Sequence, residues 1–96
     1  MKKYEIMYIV KANLDEEART QVIEKLHDIL TRNGGTITNV DQWGIRDLAY
    51  EINDETKGYY VVIKMSAEGD AAIKEFNRLV KINPNVLRFL IIKDQD

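Results

Sequence analysis

Residues 4–10, 59–65 and 86–92 alternate in the same lopsided way, and few architectures accept three such segments. In each, one parity is wholly uncharged: Tyr4, Ile6, Tyr8 and Val10; Tyr59, Val61, Ile63 and Met65; Leu87, Phe89 and Ile91. The other parity carries one charge per segment: Glu5 with Met7 and Ile9, Lys64 with Tyr60 and Val62, Arg88 with Leu90 and Ile92. Successive side chains of a strand point to opposite faces. Each segment therefore predicts a strand with one dry face and one mixed face.

The dry faces need a cover, and two helical stripes supply it. Ala18, Val22, Leu26, Ile29 and Leu30 recur at helical spacing behind Asp15, which suits an N-cap. Glu16 and Glu17 favour the positive end of that helix, and Asn33-Gly34-Gly35 stops it after Arg32. Asp70 is expected to cap a second helix that carries Ile73, Phe76, Leu79 and Val80 and ends at Asn83-Pro84-Asn85. Residues 36–50 alternate weakly and are broken at Gly44, which predicts a long, bulged strand at a sheet edge. A polar hairpin loop is expected over residues 53–58.

The order is βαββαβ. Two interleaved right-handed crossovers give a four-stranded antiparallel sheet of order 4-1-3-2 with both helices on one face, the ferredoxin-like α+β fold. Ninety-six residues suit one such domain, 1–96. The fold hosts unrelated functions, so function has to be read from surfaces.

Composition removes several classes. With no cysteine there is no disulfide scaffold, thiolate metal site or cysteine nucleophile. No segment has the length or apolarity of a membrane span or signal peptide, so a cytoplasmic protein without membrane contact is expected. His27 is the only histidine and is expected at the surface of the first helix. The acidic clusters Asp15-Glu16-Glu17 and Asp54-Glu55 suit a cap and a loop. Phosphate-loop, dinucleotide and nucleophile-elbow motifs are absent. No catalytic residues, metal, cofactor or small-molecule substrate are expected, and the one enzyme form left is a dimeric αβ barrel closing a cavity between two sheets.

The mixed face is too apolar for water. Met7, Ile9, Tyr60, Val62, Leu90 and Ile92 fall on three adjacent strands and form one patch of the kind that marks an interaction site. The topology also gathers Lys2, Lys3, Lys64 and Lys93 at one end of the sheet, within reach of a few phosphates. Yet fourteen basic against sixteen acidic residues leave a net charge of −2. A chain that grips phosphates alone normally shows a basic excess, so a nucleic-acid role requires positive charge from a partner. The octamer from Lys57 to Lys64 partly matches the basic-Gly-aromatic motif of RNA-recognition domains. There the third and fifth positions stack bases. Here they are Tyr59 and Val61, both on the dry face.

The run Asp41-Gln42-Trp43-Gly44-Ile45-Arg46-Asp47-Leu48-Ala49-Tyr50-Glu51-Ile52, with Lys2-Lys3-Tyr4-Glu5 before it and Gly58-Tyr59-Tyr60 after it, resembles bacterial ribosomal small-subunit protein six from Lys2 to Lys93. Asp47 stands where many members have a basic or amide residue, and Glu51 where many have proline. The resemblance implies a ribosomal protein of the cytoplasm that pairs with the small basic ribosomal protein eighteen. The pair docks on the central domain of small-subunit ribosomal RNA during 30S assembly. Taken with the apolar patch and the lysine end, it leads us to expect a protein contact through Met7, Ile9, Trp43, Tyr60, Val62, Leu90 and Ile92, and RNA-backbone contacts from Lys2, Lys3, Arg88 and Lys93. Of these, the family's basic start supports Lys2 and Lys3, and its basic residue on the last strand supports Arg88.

Overall fold

The computed structural model describes residues 2–52 and 54–94. The elements are β1 (Lys2–Lys11), α1 (Glu16–Arg32), β2 (Gly35–Ile52), β3 (Glu55–Ala67), α2 (Ala71–Lys81) and β4 (Val86–Asp94). The strands lie in the order β2-β3-β1-β4, with β1 antiparallel to both neighbours and β2 antiparallel to β3. This is the expected βαββαβ topology.

One face of the sheet carries the core. Tyr4, Ile6, Tyr8 and Val10 of β1 and Val61, Ile63 and Met65 of β3 are buried under Val22, Ile23, Leu26 and Leu30 of α1. Ala72, Phe76 and Val80 of α2 complete the cover. Each large apolar side chain removed from water here contributes about 2 kcal/mol, so both helices are held chiefly by this shared layer. Ile23 belongs to the buried stripe as well, while Ala18 and Ile29 sit half-buried at its edges. On β4 the dry set begins differently from expectation. The register with β1 slips between Ile9 and Val10, so Ile9 faces Arg88 but Val10 faces Val86. The bulge absorbs Leu87, and Val86 packs against the core in its place.

The two caps differ. Asp15 accepts a hydrogen bond from the Ala18 amide at 2.7 Å, as its sequence position implies. Asp70 stands at the cap position of α2 but its side chain makes no capping hydrogen bond. Its carboxylate instead lies 3.3 Å from the Lys74 ammonium, which holds its pKa below the ordinary value, and Lys2 adds a smaller push in the same direction.

The hairpin also departs from expectation. β3 begins at Glu55 rather than after a long polar loop, and Ile52 already pairs with Glu55. Asp54 closes the turn with φ 66°, while Asn53 lies outside the described residues, as do Met1, Gln95 and Asp96. Gly44 is a bulge as predicted, with φ 87° and a register shift between Gln42 and Gly44. Another shift falls between Asp47 and Ile52, which frees residues 48–51 from the ladder.

Candidate functional site

The face opposite the helices is a grid of side chains set by register. Tyr60, Ile9 and Arg88 form one row; Val62, Met7 and Leu90 the next; Lys64, Glu5 and Ile92 the third. All seven residues expected to contact a protein partner lie on or beside this grid. They are not equally open. Leu90 and Ile92 are 49% and 48% exposed, whereas Ile9 and Val62 retain only 5% and 7%.

The end of the β2–β3 hairpin explains the burial of Ile9. Leu48, Ala49, Tyr50 and Ile52 line a hollow over the open face together with Met7, Ile9, Tyr60 and Leu90. Gly58 permits the approach, because a Cβ there would collide with Ile9 and crowd Leu48. Trp43 stacks almost flat on Tyr60, with ring centroids 6.2 Å apart and planes 8° from parallel. The Arg46 guanidinium lies 4.9 Å from the Trp43 ring centre, and the indole N–H donates to Asp41 at 3.0 Å. Arg46 is thus engaged on an aromatic face inside the hairpin. Sequence reasoning missed Leu48 and Tyr50 as parts of this surface. They lie in the Leu48-Ala49-Tyr50 stretch of the long motif, but their reach over the sheet depends on bulges with no local signal beyond Gly44.

The lysines converge at one end as expected, but they divide between two faces. Lys3 and Lys64 register with the open face, through Ser66 and Asp94 for Lys3 and through Glu5 for Lys64. Lys2 pairs with Ala67 and Lys93 with Tyr4, both on the helix side. Arg88 does not join them. It stands in the row of Ile9 and donates a hydrogen bond to the Tyr50 hydroxyl, with its guanidinium 5.8 Å from the Tyr50 ring centre.

His27 is more than a surface residue. It is half-buried, its Nε2 lies 2.9 Å from the Tyr8 hydroxyl, and the two rings meet edge to face. Burial lowers the pKa of His27 and pushes that of Tyr8 well above the ordinary tyrosine value. Among the described residues no group of three or more His, Asp or Glu side chains is placed to hold a metal ion. No helix there is long and apolar enough to cross a membrane.

The geometry also weighs against base stacking on Tyr59 and Val61. Val61 is fully buried, and the Tyr59 hydroxyl donates to Gln42 at 2.7 Å while Arg19 covers its ring at 4.3 Å. Both lie on the helix side.

Comparison with known proteins bears on the fold and the family. The fold is shared with the C-terminal domain of the MgtC protein from Mycobacterium tuberculosis, at TM-score 0.64 over 98% of this chain and 88% of that one; the 10% identity carries the fold alone. The crystal structure of 30S ribosomal protein S6 from Thermotoga maritima superposes with TM-score 0.91 at 29% identity, over 97% of this chain and 87% of that one. A small ribosomal subunit protein bS6 from Halalkalibacterium halodurans is 52% identical over the full length of both chains. With residues 3–93 matching ribosomal protein S6 as a family, this chain belongs to that family of structural ribosomal proteins, which are not enzymes.

Proposed function

We propose that the open sheet face seats the small basic ribosomal protein eighteen and that the pair then binds the central domain of small-subunit ribosomal RNA during assembly. Family membership carries the coarser part, a structural role in the small ribosomal subunit of the cytoplasm. The finer part rests on one observation above all. A strip through Trp43, Tyr50, Leu90 and Ile92 stays exposed beside a hairpin rich in carboxylates. Residues 41–57 hold Asp41, Asp47, Glu51, Asp54 and Glu55 against Arg46 and Lys57. That surface repels phosphate and attracts a cationic protein. The apolar strip supplies the desolvated centre of the contact and the acidic hairpin its rim.

Lys2, Lys3 and Lys93 then serve RNA backbone at the far end of the sheet, where the protein partner adds the missing positive charge. A titration tests this, with Trp43 fluorescence reporting on the Trp43–Tyr60 stack. The isolated chain is expected to bind protein eighteen without RNA and to bind central-domain RNA tightly only with that protein present. Leu90→Asp should weaken the protein contact at least about tenfold while the chain still melts cooperatively, because Leu90 is half-exposed and outside the core. Val62→Asp is the poorer test, since it would charge a buried site and unsettle the fold itself. Tight RNA binding by the isolated chain, or unchanged affinity of Leu90→Asp for protein eighteen, would overturn the reading.

A further inference from the structure

We infer that Arg88 is a positioning residue: it clasps the β2–β3 hairpin across the open face and so shapes a socket for an aliphatic side chain of the basic protein partner. The inference rests on the reading that such a partner sits on this face. It assigns Arg88 to the protein contact and not to RNA.

Position argues first. Arg88 and Lys93 are five residues apart on one strand, so about 16 Å of extended chain separates them. No single phosphate reaches both. Arg88 is also set apart from Lys64 by the intervening row of Met7, and from Lys3 by the rows of Met7 and Glu5.

Contact argues second. Tyr50 belongs to β2 at one edge of the sheet, and Arg88 to β4 at the other, with β3 and β1 between them. Their hydrogen bond and ring contact therefore bridge the width of the face. Between Asp47 and Ile52 the hairpin has left the ladder, so backbone pairing does not hold Tyr50 in place. The Arg88 guanidinium supplies a fixed point that the ladder lacks.

The shape that results is specific. Under the bridged arm lies a hollow of about 280 Å³, lined by Met7, Ile9, Leu48, Ala49 and Leu90, with Arg88 the only charged lining residue among the described residues. Such a lining favours an aliphatic side chain. On this same face Asp41 accepts from the Trp43 indole, and the hairpin that forms the arm carries five carboxylates against two cations, a balance that suits a cationic polypeptide better than an RNA strand. Charge complementarity thus selects a basic protein as the occupant, and preorganisation of the arm reduces the ordering that binding requires.

Arg88→Met, which keeps a long stem, and Tyr50→Phe, which keeps the ring, test the clasp singly and together. Amide hydrogen exchange of the free chain reads the arm without any partner. Exchange across residues 48–52 should accelerate in either variant, while the amides of β1 remain as protected as in the parent. Affinity for protein eighteen alone should fall about tenfold in each, and the double variant should lose no more than the weaker single, because both remove one contact. The salt dependence of RNA binding by the assembled pair should not change. Unaltered exchange at 48–52 overturns the clasp. So does an Arg88→Met variant with normal protein affinity and a shallower salt dependence, which would make Arg88 a phosphate contact. If the parent chain ignores protein eighteen, the functional reading and the socket fall together. Exchange alone then judges whether Arg88 holds the arm.

Discussion

Protonating His27 is harder in the folded chain than in the unfolded one, because its ring is half-buried where α1 meets β1. Tyr8 faces it from β1, Tyr59 from β3, and Arg19 and Glu24 flank it along α1. A folded pKa below the unfolded value of 6.5 means that the unfolded chain binds the extra proton. His27 therefore favours folding fully above pH 6.5 and progressively less as pH falls through that value toward the folded pKa. His27→Gln, which cannot titrate, should show a flatter stability curve than the parent between about pH 5 and 8. Denaturant midpoints across that range check this, and parallel curves would show that the ring titrates as freely folded as unfolded. Only half of this pair is legible in the sequence. A lone histidine is visible there, but its partner Tyr8 lies 19 residues away and reads only as one more member of a dry parity.

At the scale of elements, the hairpin is where local pattern and tertiary shape part company. The dry parities hold from Tyr4 to Val10 on β1 and from Tyr59 to Ala67 on β3, because strict alternation on central strands leaves no other register that buries them. On β4 the parity fails at its start, where the bulge takes up Leu87, and no residue type there announces it. The open face reads as uncovered in the sequence, since its own strands say nothing of an arm arriving from β2. Gly58 is the point at which that arm depends on a missing side chain. Gly58→Ala would drive a methyl into Ile9 and against Leu48, and overpacking of this kind costs about 2 kcal/mol. The expected outcome is a lower denaturant midpoint together with a weaker Trp43–Tyr60 stack, seen as altered tryptophan emission. An unchanged midpoint would show that the arm lifts away from Ile9 without loss.

Charge is a property of the whole molecule, and its distribution separates the two roles in space. The chain carries net charge −2, the hairpin holds five of its carboxylates, and four lysines collect at the opposite end of the sheet. Those lysines are not equivalent, because Lys2 and Lys93 turn to the helix side while Lys64 shares the open face with Glu5. A protein seated on the open face crowds Lys64 but leaves Lys2 and Lys93 pointing away from it. RNA that engages the pair therefore meets those two, and Lys3 where its row extends past that of Lys64 at the end of the sheet. Each phosphate left without its lysine should reduce the slope of log affinity against log salt by roughly 0.7 to 0.9. With protein eighteen present, Lys2→Ala combined with Lys93→Ala should flatten the slope by about 1.4 to 1.8 and leave the protein–protein affinity unaltered. Lys64→Ala should leave the slope nearly as it was. The reverse result, a slope sensitive to Lys64 and indifferent to Lys2 and Lys93, would place the nucleic acid on the same surface as the carboxylates.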